Sequence, residues 1–472
     1  MGTRTTADTG SFRDPAGTVL TAEGRVFRTV EQPAWDDIDA VLAAGILDTL
    51  TLSRRVIATS PIDIHDAPPG LTDGLAPRPR RIFEHERVPF ISYPYEWPFS
   101  LLKRAALHHL NLHLDLLESG FTLSDASAYN VQFFGTKPVF IDVLSIRRYR
   151  EGEFWAGYRQ FCEQFLNPLL LGALLGIQHH AWFRGNLEGI GVEDLARILP
   201  ARSRLSPRVL LHVTMHARLT SKARTRAGAT PSARQSTPMS KTAMLWLVKG
   251  LRRWIEGLRP RAAGGTVWGD YEDRMPYTQE ETEAKRAFVG RYADRRRPVH
   301  LFDLGCNTGT FSETALSNGA TRVTGFDVDH LALETAIARA DARRLNFLPL
   351  FLDAVNPSPS QGWALRERQS FQARADADGL LALALLHHIV IGRNVPLPQA
   401  IDWLVALAPS GVVEFVPKSD AMIQTMLRQR ADIFPDYHID AMRQELARRA
   451  HVVRESAVSE SGRTLFEYER LA

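Results

Sequence analysis

One short stretch constrains this chain more than any other. Residues Val299 to Thr310 read VHLFDLGCNTGT. A short apolar run ends in an acid, Asp303, and passes into a turn holding Gly305, Asn307 and Gly309. Glycine lets a backbone turn tightly and come close to a ligand, because no Cβ stands in the way. A helix from about Thr310 to Asn318 then presents free N–H groups to that ligand. The pattern predicts a nucleotide-type site at the C-terminal end of the first strand of an α/β sheet.

A dinucleotide site calls for G-x-G-x-x-G, in which the second glycine clears room for a pyrophosphate. Here the middle position is Asn307 and the pattern closes at Gly309. Downstream, Arg322 to Asp327 reads as a second strand ending in an acid, 18 residues beyond Gly309, where a carboxylate can accept both ribose hydroxyls. A helix over Leu331 to Arg343 follows, then a third strand over Phe347 to Leu352 that ends at Asp353. Gly379 to Leu386 is a wholly apolar fourth strand, as expected when helices cover both faces of a sheet, and it ends in His387-His388. Leu397 to Leu407 reads as a helix and Val412 to Val416 as the fifth strand. Val452 to Val458 and Thr464 to Tyr468, joined by Ser459-Glu-Ser-Gly462, predict a terminal hairpin.

The stretch DLGCNTG resembles motif I of class I S-adenosylmethionine-dependent methyltransferases, usually D/E-x-G-x-G-x-G, with Asn307 at the middle position. Members of that family end in an antiparallel strand pair like the one expected here. The resemblance implies a Rossmann-like α/β sheet, S-adenosylmethionine as cofactor, and contacts to it from Asp303, Gly305, Asn307, Gly309 and Asp327. Asp353 holds the position that faces the adenine amino group in the family. The N-terminal half, with Tyr95-Glu-Trp-Pro98, the loop at Asp125, Ile141-Asp142 and Tyr158-Arg-Gln-Phe161, is similar to the front end of a group of bacterial two-part, nodulation-type methyltransferases.

The length, 472 residues, suffices for two or three domains, and 44% hydrophobic with 23% charged residues is globular composition. A net charge of +4 is too mild to demand a nucleic-acid partner. Cys162 and Cys306 lie too far apart for a disulfide framework, so a reducing cytoplasm is expected. Cys306, inside the turn, reads as small filler rather than as a nucleophile. No apolar signal segment opens the chain, and the longest apolar stretch, Pro168 to Ile177, falls short of a membrane span and reads as a buried helix.

Four regions are expected: a flexible polar leader over 1–20, an α+β lobe over 21–160, a helical and basic linker over 161–265, and the methyltransferase domain over 266–472. Arg25 to Val30 suggests a strand, Trp35 to Leu47 an amphipathic helix, Asp63 to Arg81 a loop, and Ser100 to Ser119 a helix capped by Gly120. Trp155 to Ile177 and Met244 to Leu258 read as helical, the latter basic and amphipathic. No acid stands between Asp194 and Glu256. That stretch reads either as a solvated linker or as an electrostatic footprint for an anionic partner such as RNA, lipid headgroups or a charged saccharide.

Residues Leu123 to Ser145 carry a second constellation. Asp125 and Asn130 lie five apart, and Asp142 follows a hairpin that turns at Gly135. The spacing resembles the catalytic and metal loops of the protein-kinase and aminoglycoside-phosphotransferase fold. Against that, no lysine precedes Lys103, no Gly-rich phosphate loop is evident, and Asp142 is followed by Val-Leu. A lobe without turnover, either kinase-like or of an unrelated fold, and a working phosphotransferase on a small molecule, with the C-terminal domain as nucleotide sensor, are the two readings.

For methyl transfer, the residues after the fourth and fifth strands overhang the reacting group in the resembled fold: His387, His388, Glu414 and Lys418. Histidine is the natural base near neutral pH, so His387 or His388, whichever faces the pocket, is the expected catalytic residue, with no metal. No Asn/Asp-Pro-Pro-aromatic motif follows the fourth strand and no cysteine sits as a nucleophile, which leaves O-methylation of a small molecule or saccharide. The segments Trp268 to Tyr277, Phe415 to Asp420 and Asp432 to Pro435 are expected to shape the rim of the site.

Overall fold

The computed structural model describes residues 5–73, 75, 79–218, 238–261, 278–428 and 431–471. The N-terminal lobe opens with a five-stranded antiparallel sheet. Its strands are Thr6–Ala7 (β1), Val19–Ala22 (β2), Arg25–Val30 (β3), Thr59–Ile62 (β4) and Arg81–His85 (β5), in the order β1-β2-β3-β5-β4. The stretch read as a flexible leader is therefore structured from Thr5 on. Thr6 and Ala7 pair with Thr21 and Leu20, and Arg13 Nε donates to Glu367 Oε1 at 2.8 Å. The helix expected over Trp35 to Leu47 breaks in two, at Trp35–Ala43 and Ile46–Leu52, because Gly45 takes φ +64° between them.

The helix Phe99–Glu118 buries Leu101, Leu102, Ala105, Leu110, Leu114 and Leu117, the apolar spacing read from sequence, and Gly120 turns left-handed just beyond it (φ +84°). Next come Phe121–Leu123 (β6), a hairpin of Val131–Phe134 (β7) and Lys137–Phe140 (β8), and Ile146–Arg148 (β9), which pairs with β6. A continuous helical run from Tyr158 to Leu175 follows, widened into π turns at Cys162–Leu166 and Leu171–Leu175 and stopped by Gly176 at φ +70°. Phe161, Cys162, Phe165 and Leu169 are fully buried, so this part of the supposed linker is core. The helix Lys241–Gly257 lies against Phe99–Glu118 and buries Met244, Val248, Leu251 and Ile255.

The C-terminal sheet has seven strands: His300–Leu304 (β10), Arg322–Asp327 (β11), Phe347–Phe351 (β12), Gly379–Ala382 (β13), Ser410–Phe415 (β14), Ala450–Ala457 (β15) and Thr464–Arg470 (β16). Their order is β12-β11-β10-β13-β14-β16-β15, parallel through β14 and antiparallel at the terminal hairpin. The chain reverses its direction of travel between β10 and β13, which opens a crevice at their C-terminal ends. Strand alternation sends Leu301, Val323, Leu381 and Val412 to a face covered by the helix Gln279–Arg296 and its neighbours. Phe302, Phe326, Leu348 and Leu380 point to the other face, in the core shared with the N-terminal lobe.

That sharing is specific. Phe90 of the lobe stands edge-on to Phe302 at 5.5 Å and to Phe326 at 5.8 Å. Polar clasps surround it: Arg374 Nη1 to Glu96 Oε2 at 3.1 Å, Ser100 N–H to Glu334 Oε1 at 2.9 Å, and Arg104 Nη1 to Asp341 Oδ1 at 3.0 Å. Both Glu96 and Arg374 are nearly sealed from water.

Candidate functional site

The crevice holds a cavity of about 330 Å³. Its floor is the turn after β10. Gly305 takes φ +77° and donates its N–H to Phe326 O at 2.8 Å. Asn307, the departure from an all-glycine motif, also takes a left-handed φ of +47°. Asparagine tolerates that region better than other non-glycine residues. Here its Oδ1 also accepts the Thr308 N–H at 2.7 Å and so closes the turn from inside. Cys306 is packing: a Cβ built at Gly325 would stand 2.9 Å from its Sγ.

Asp327, at the end of β11, accepts the Asn307 N–H at 2.8 Å on Oδ2 and the Asp329 N–H at 2.9 Å on Oδ1. Its side chain thereby ties the β10 turn to the β11 turn. Burial raises its pKa, against the pull of those two N–H donors. Asp353, just past β12, lines the same cavity, and Arg393 Nη2 approaches it at 3.8 Å from the mouth. Gly305, Asn307, Asp327 and Asp353 thus face one space, together with Thr308, Thr310, Val328 and Val355.

Two residues expected at the ligand stand behind the wall instead. Asp303 is sealed at 2% exposure and accepts the Ser312 hydroxyl at 2.6 Å; burial pushes its carboxyl up to about 7. It fastens the following helix to β10. Gly309 takes φ +82°, and a Cβ there would come within 2.5 Å of the Phe347 ring, so the glycine serves close packing at the helix start.

The strand read over Gly379 to Leu386 stops at Ala382, and a helix, Leu386–Arg393, begins at its far end. His387 and His388 therefore sit on a first helical turn, on different sides of it. His388 lines the cavity, while His387 is 1% exposed, faces the interior, and neither of its ring nitrogens has a hydrogen-bond partner. Burial, with the Arg463 guanidinium adding to it, lowers His388 to about 4, so its imidazole is neutral across the physiological range.

Glu414, expected over the reacting group, is buried and does not line the cavity; it holds this turn, a role sequence reading missed. Ala384 takes φ +50°, a conformation that costs an ordinary residue roughly 1–2 kcal/mol, and its N–H donates to Glu414 Oε2 at 2.9 Å. Glu414 is fully buried and paired with Lys285, Nζ to Oε1 at 2.7 Å, with Arg463 and Asp420 extending the network. Burial presses the Lys285 ammonium below its ordinary pKa against the opposing pull of Glu414. Lys285 lines the cavity as well. An apolar strand containing one glutamate, and a helix containing one buried lysine, were the available signal. Lys418 instead reaches Asp432 at 2.8 Å and Phe434 O at 2.6 Å, which fixes the Asp432–Pro435 segment; neither that segment nor Phe415 to Asp420 lines the cavity. The segment Trp268 to Tyr277 lies outside the described residues.

In the N-terminal lobe, Asn130 Nδ2 bridges Asp125 Oδ1 and Asp142 Oδ2, each at 3.2 Å. Burial and the Asp142 charge push Asp125 up to about 7. Arg28, on β3 and 8% exposed, places Nη1 2.8 Å from Asp142 Oδ1 and its other Nη on Asp14. Gln160 and Gln164, on the π-containing helix, accept the N–H groups of Ala126 and Ala128 at 2.9 and 2.8 Å and pin the loop. Among the described residues no group of three or more His, Cys, Asp or Glu side chains is placed to hold a metal ion.

The chain is 43% identical over 461 residues to the nodulation protein NoeA of Rhizobium meliloti (strain 1021), a match spanning 98% of this chain and 95% of that protein. It is 44% identical over 61 residues to ribosomal RNA large subunit methyltransferase I of Pseudoalteromonas atlantica, 13% of this chain and 15% of that one. No protein-family profile matches it. Among solved structures, the N-methyltransferase NodS from Bradyrhizobium japonicum WM9 is similar at 14% identity and a TM-score of 0.31, covering 41% of this chain and 98% of NodS. Magnesium protoporphyrin IX methyltransferase (ChlM) from Synechocystis PCC 6803 is similar at 18% identity and a TM-score of 0.30, covering 48% and 96%.

Proposed function

The chain belongs to the family of the nodulation protein NoeA, and on that premise we propose that it is a methyltransferase using S-adenosylmethionine, with an oxygen of a small molecule or saccharide as acceptor. One observation carries the reading. A single cavity collects the Gly305–Asn307 turn and the carboxylates at the ends of two successive neighbouring strands, Asp327 and Asp353.

The residues present fit that cofactor. The lining is mostly apolar, as a nucleoside needs, with carboxylates to accept from hydroxyl and amino groups. Asp327 would accept from the ribose hydroxyls and Asp353 from the base, with Val328 and Val355 in the same lining. When bound, S-adenosylmethionine supplies an electrophilic methyl group on a sulfonium. The chain's own part is to align the acceptor and take up its proton. His388, neutral and on the cavity wall, is the residue for that proton. Glu414 and Lys285 hold the Ala384 turn that aims it. Asp303 and Gly309 act from behind the wall, on the shape of the turn. The protein is proposed to work in the cytoplasm.

Phosphoryl transfer by the N-terminal lobe is less well supported. A working site of that kind needs Asp142 to meet a divalent cation. Here the Arg28 guanidinium and the Asn130 amide already occupy its two oxygens. Asn130 ties Asp125 to Asp142, and the positive charge beside Asp142 comes from Arg28 on the lobe's own β3.

Isothermal titration of the full-length chain with S-adenosylmethionine and with S-adenosylhomocysteine tests the proposal. Heat from both, reduced in Asp327→Ala, is the expected result; no binding of either one ends it. Mass spectrometry of small metabolites and glycans incubated with the protein and cofactor then identifies the acceptor by a gain of one methyl.

A further inference from the structure

The basic stretch without acids is not a bare linker over its described part. From Pro207 to Arg218 the chain is helical, with π turns over Leu210–Met215. Its inner side is Val209, His212, Val213 and Ala217, all buried. That side is anchored: the Tyr158 hydroxyl and His212 Nδ1 are 2.8 Å apart, and the His212 ring lies 5.6 Å from that of Trp254. The outer side is Arg208, Leu211, Met215 and Arg218, all exposed. Leu210 beside them is exposed as well, and Leu205, one turn before, is 83% exposed. A surface helix ordinarily turns its aliphatic residues inward. This one turns them out, bracketed by arginines.

The adjoining helix, Lys241–Gly257, repeats the pattern. Its outer side carries Thr242, Trp246, Lys249 and Arg253, and Trp246 is 67% exposed. Between residues 195 and 255 the sequence holds 13 lysines and arginines and no aspartate or glutamate.

We propose that this outward face, centred on Leu205, Leu211 and Met215, docks on the surface of an anionic lipid bilayer. Each chemical component has its counterpart there. Basic residues gain roughly 1 kcal/mol apiece near an anionic leaflet. Aliphatic side chains enter the headgroup–acyl boundary, and tryptophan favours the same depth. No helix among the described residues is long and apolar enough to cross a membrane, so the contact is peripheral. RNA fits less well, because the outward residues between Arg208 and Arg218 are aliphatic rather than aromatic, and Trp246 on the adjoining helix is a single ring. A second copy of the chain fits less well too, because two faces of one charge repel.

The test is flotation of the full-length chain with vesicles of equal phosphatidylglycerol and phosphatidylcholine, and with vesicles of phosphatidylcholine alone. The expected result is partition into the anionic vesicles at least tenfold stronger than into the neutral ones. Leu205→Ser/Leu211→Ser/Met215→Ser should weaken partition about tenfold or more, with cofactor binding and melting temperature unchanged. Arg208→Gln/Arg218→Gln should weaken it with a reduced salt dependence. Should the triple variant fold poorly, Leu205→Ser alone carries the test. Failure to float with anionic vesicles overturns the proposal. So does equal partition of native and serine variants, or a self-association or single-stranded RNA affinity that the serine variants abolish. Failure of cofactor binding leaves this proposal standing, since no residue named here lines the cofactor cavity.

Discussion

Phe90 and Phe302 meet edge to face at 5.5 Å, and they belong to different lobes. Phe90 packs on the Phe302–Phe326 face of the C-terminal sheet. Removing its ring deletes aromatic contacts with Phe302, Phe326 and His300 and opens a cavity in a sealed core. Phe90→Ala is expected to destabilise the full chain by about 3–5 kcal/mol, read as a lower midpoint in urea. A fragment starting near residue 278 would bare the same face and is expected to aggregate; a soluble, cooperatively melting fragment would contradict the shared core.

Asp327 does two jobs, tying two turns together and offering its oxygens to a ligand. Its carboxylate accepts the Asn307 and Asp329 N–H groups, and both oxygens keep capacity for a ligand. Asp327→Ala is expected to weaken S-adenosylmethionine binding roughly tenfold to a hundredfold, the worth of hydrogen bonds to a charged acceptor. Titration calorimetry reads it, and circular dichroism should show an unchanged fold.

The two histidines should part company in kinetics. His388→Ala is expected to lower kcat by about a hundredfold, the lower end for a general base, because burial has already brought its pKa down to about 4. The native rate should show no titration near 6.5 from this residue and should decline only as the pH approaches 4. His387→Leu is expected to leave kcat within about twofold and to raise stability, since it replaces a buried ring whose nitrogens have no partners. Equal losses of kcat in both variants would refute the assignment.

His109 is enclosed by Trp155, Phe161, Phe165 and Phe140, and neither ring nitrogen has a partner. Burial holds its pKa well below the ordinary value, and His108, His113 and His179 are lowered to about 4, 3 and 4. The unfolded chain takes up these protons near 6.5 and the folded chain does not, so stability is full above about 6.5 and falls as pH drops toward 4. Asp125 and Asp303, raised to about 7, act oppositely over the same range but are fewer. Melting temperature is therefore expected to decline on acidification below 6.5. His109→Leu should make that decline shallower and add about 1–3 kcal/mol at pH 5.

The C-terminal fold was largely legible because each element announces itself locally. Asp303, Asp327 and Asp353 punctuate three apolar strands, Gly120 stops a helix, and Gly462 helps turn the last hairpin. What escaped was set by distant partners. Leu383 to Leu386 is apolar enough to extend a strand, yet Glu414, thirty residues on from Ala384, draws the Ala384 N–H into a left-handed turn and starts a helix instead. The leader looked loose because Thr6 and Ala7 carry no apolar signal; their pairing is with β2. Nothing around Arg28 in sequence marks it as the partner of Asp142, more than a hundred residues away.

The Phe90 contact also sets an order of events. A ribosome releases the front of the chain first, so the aromatic wedge and its flanking Glu96, Ser100 and Arg104 emerge before β10. The nascent back half then condenses onto a surface already waiting for it, and a greasy sheet face that would attract neighbouring chains is capped as it forms.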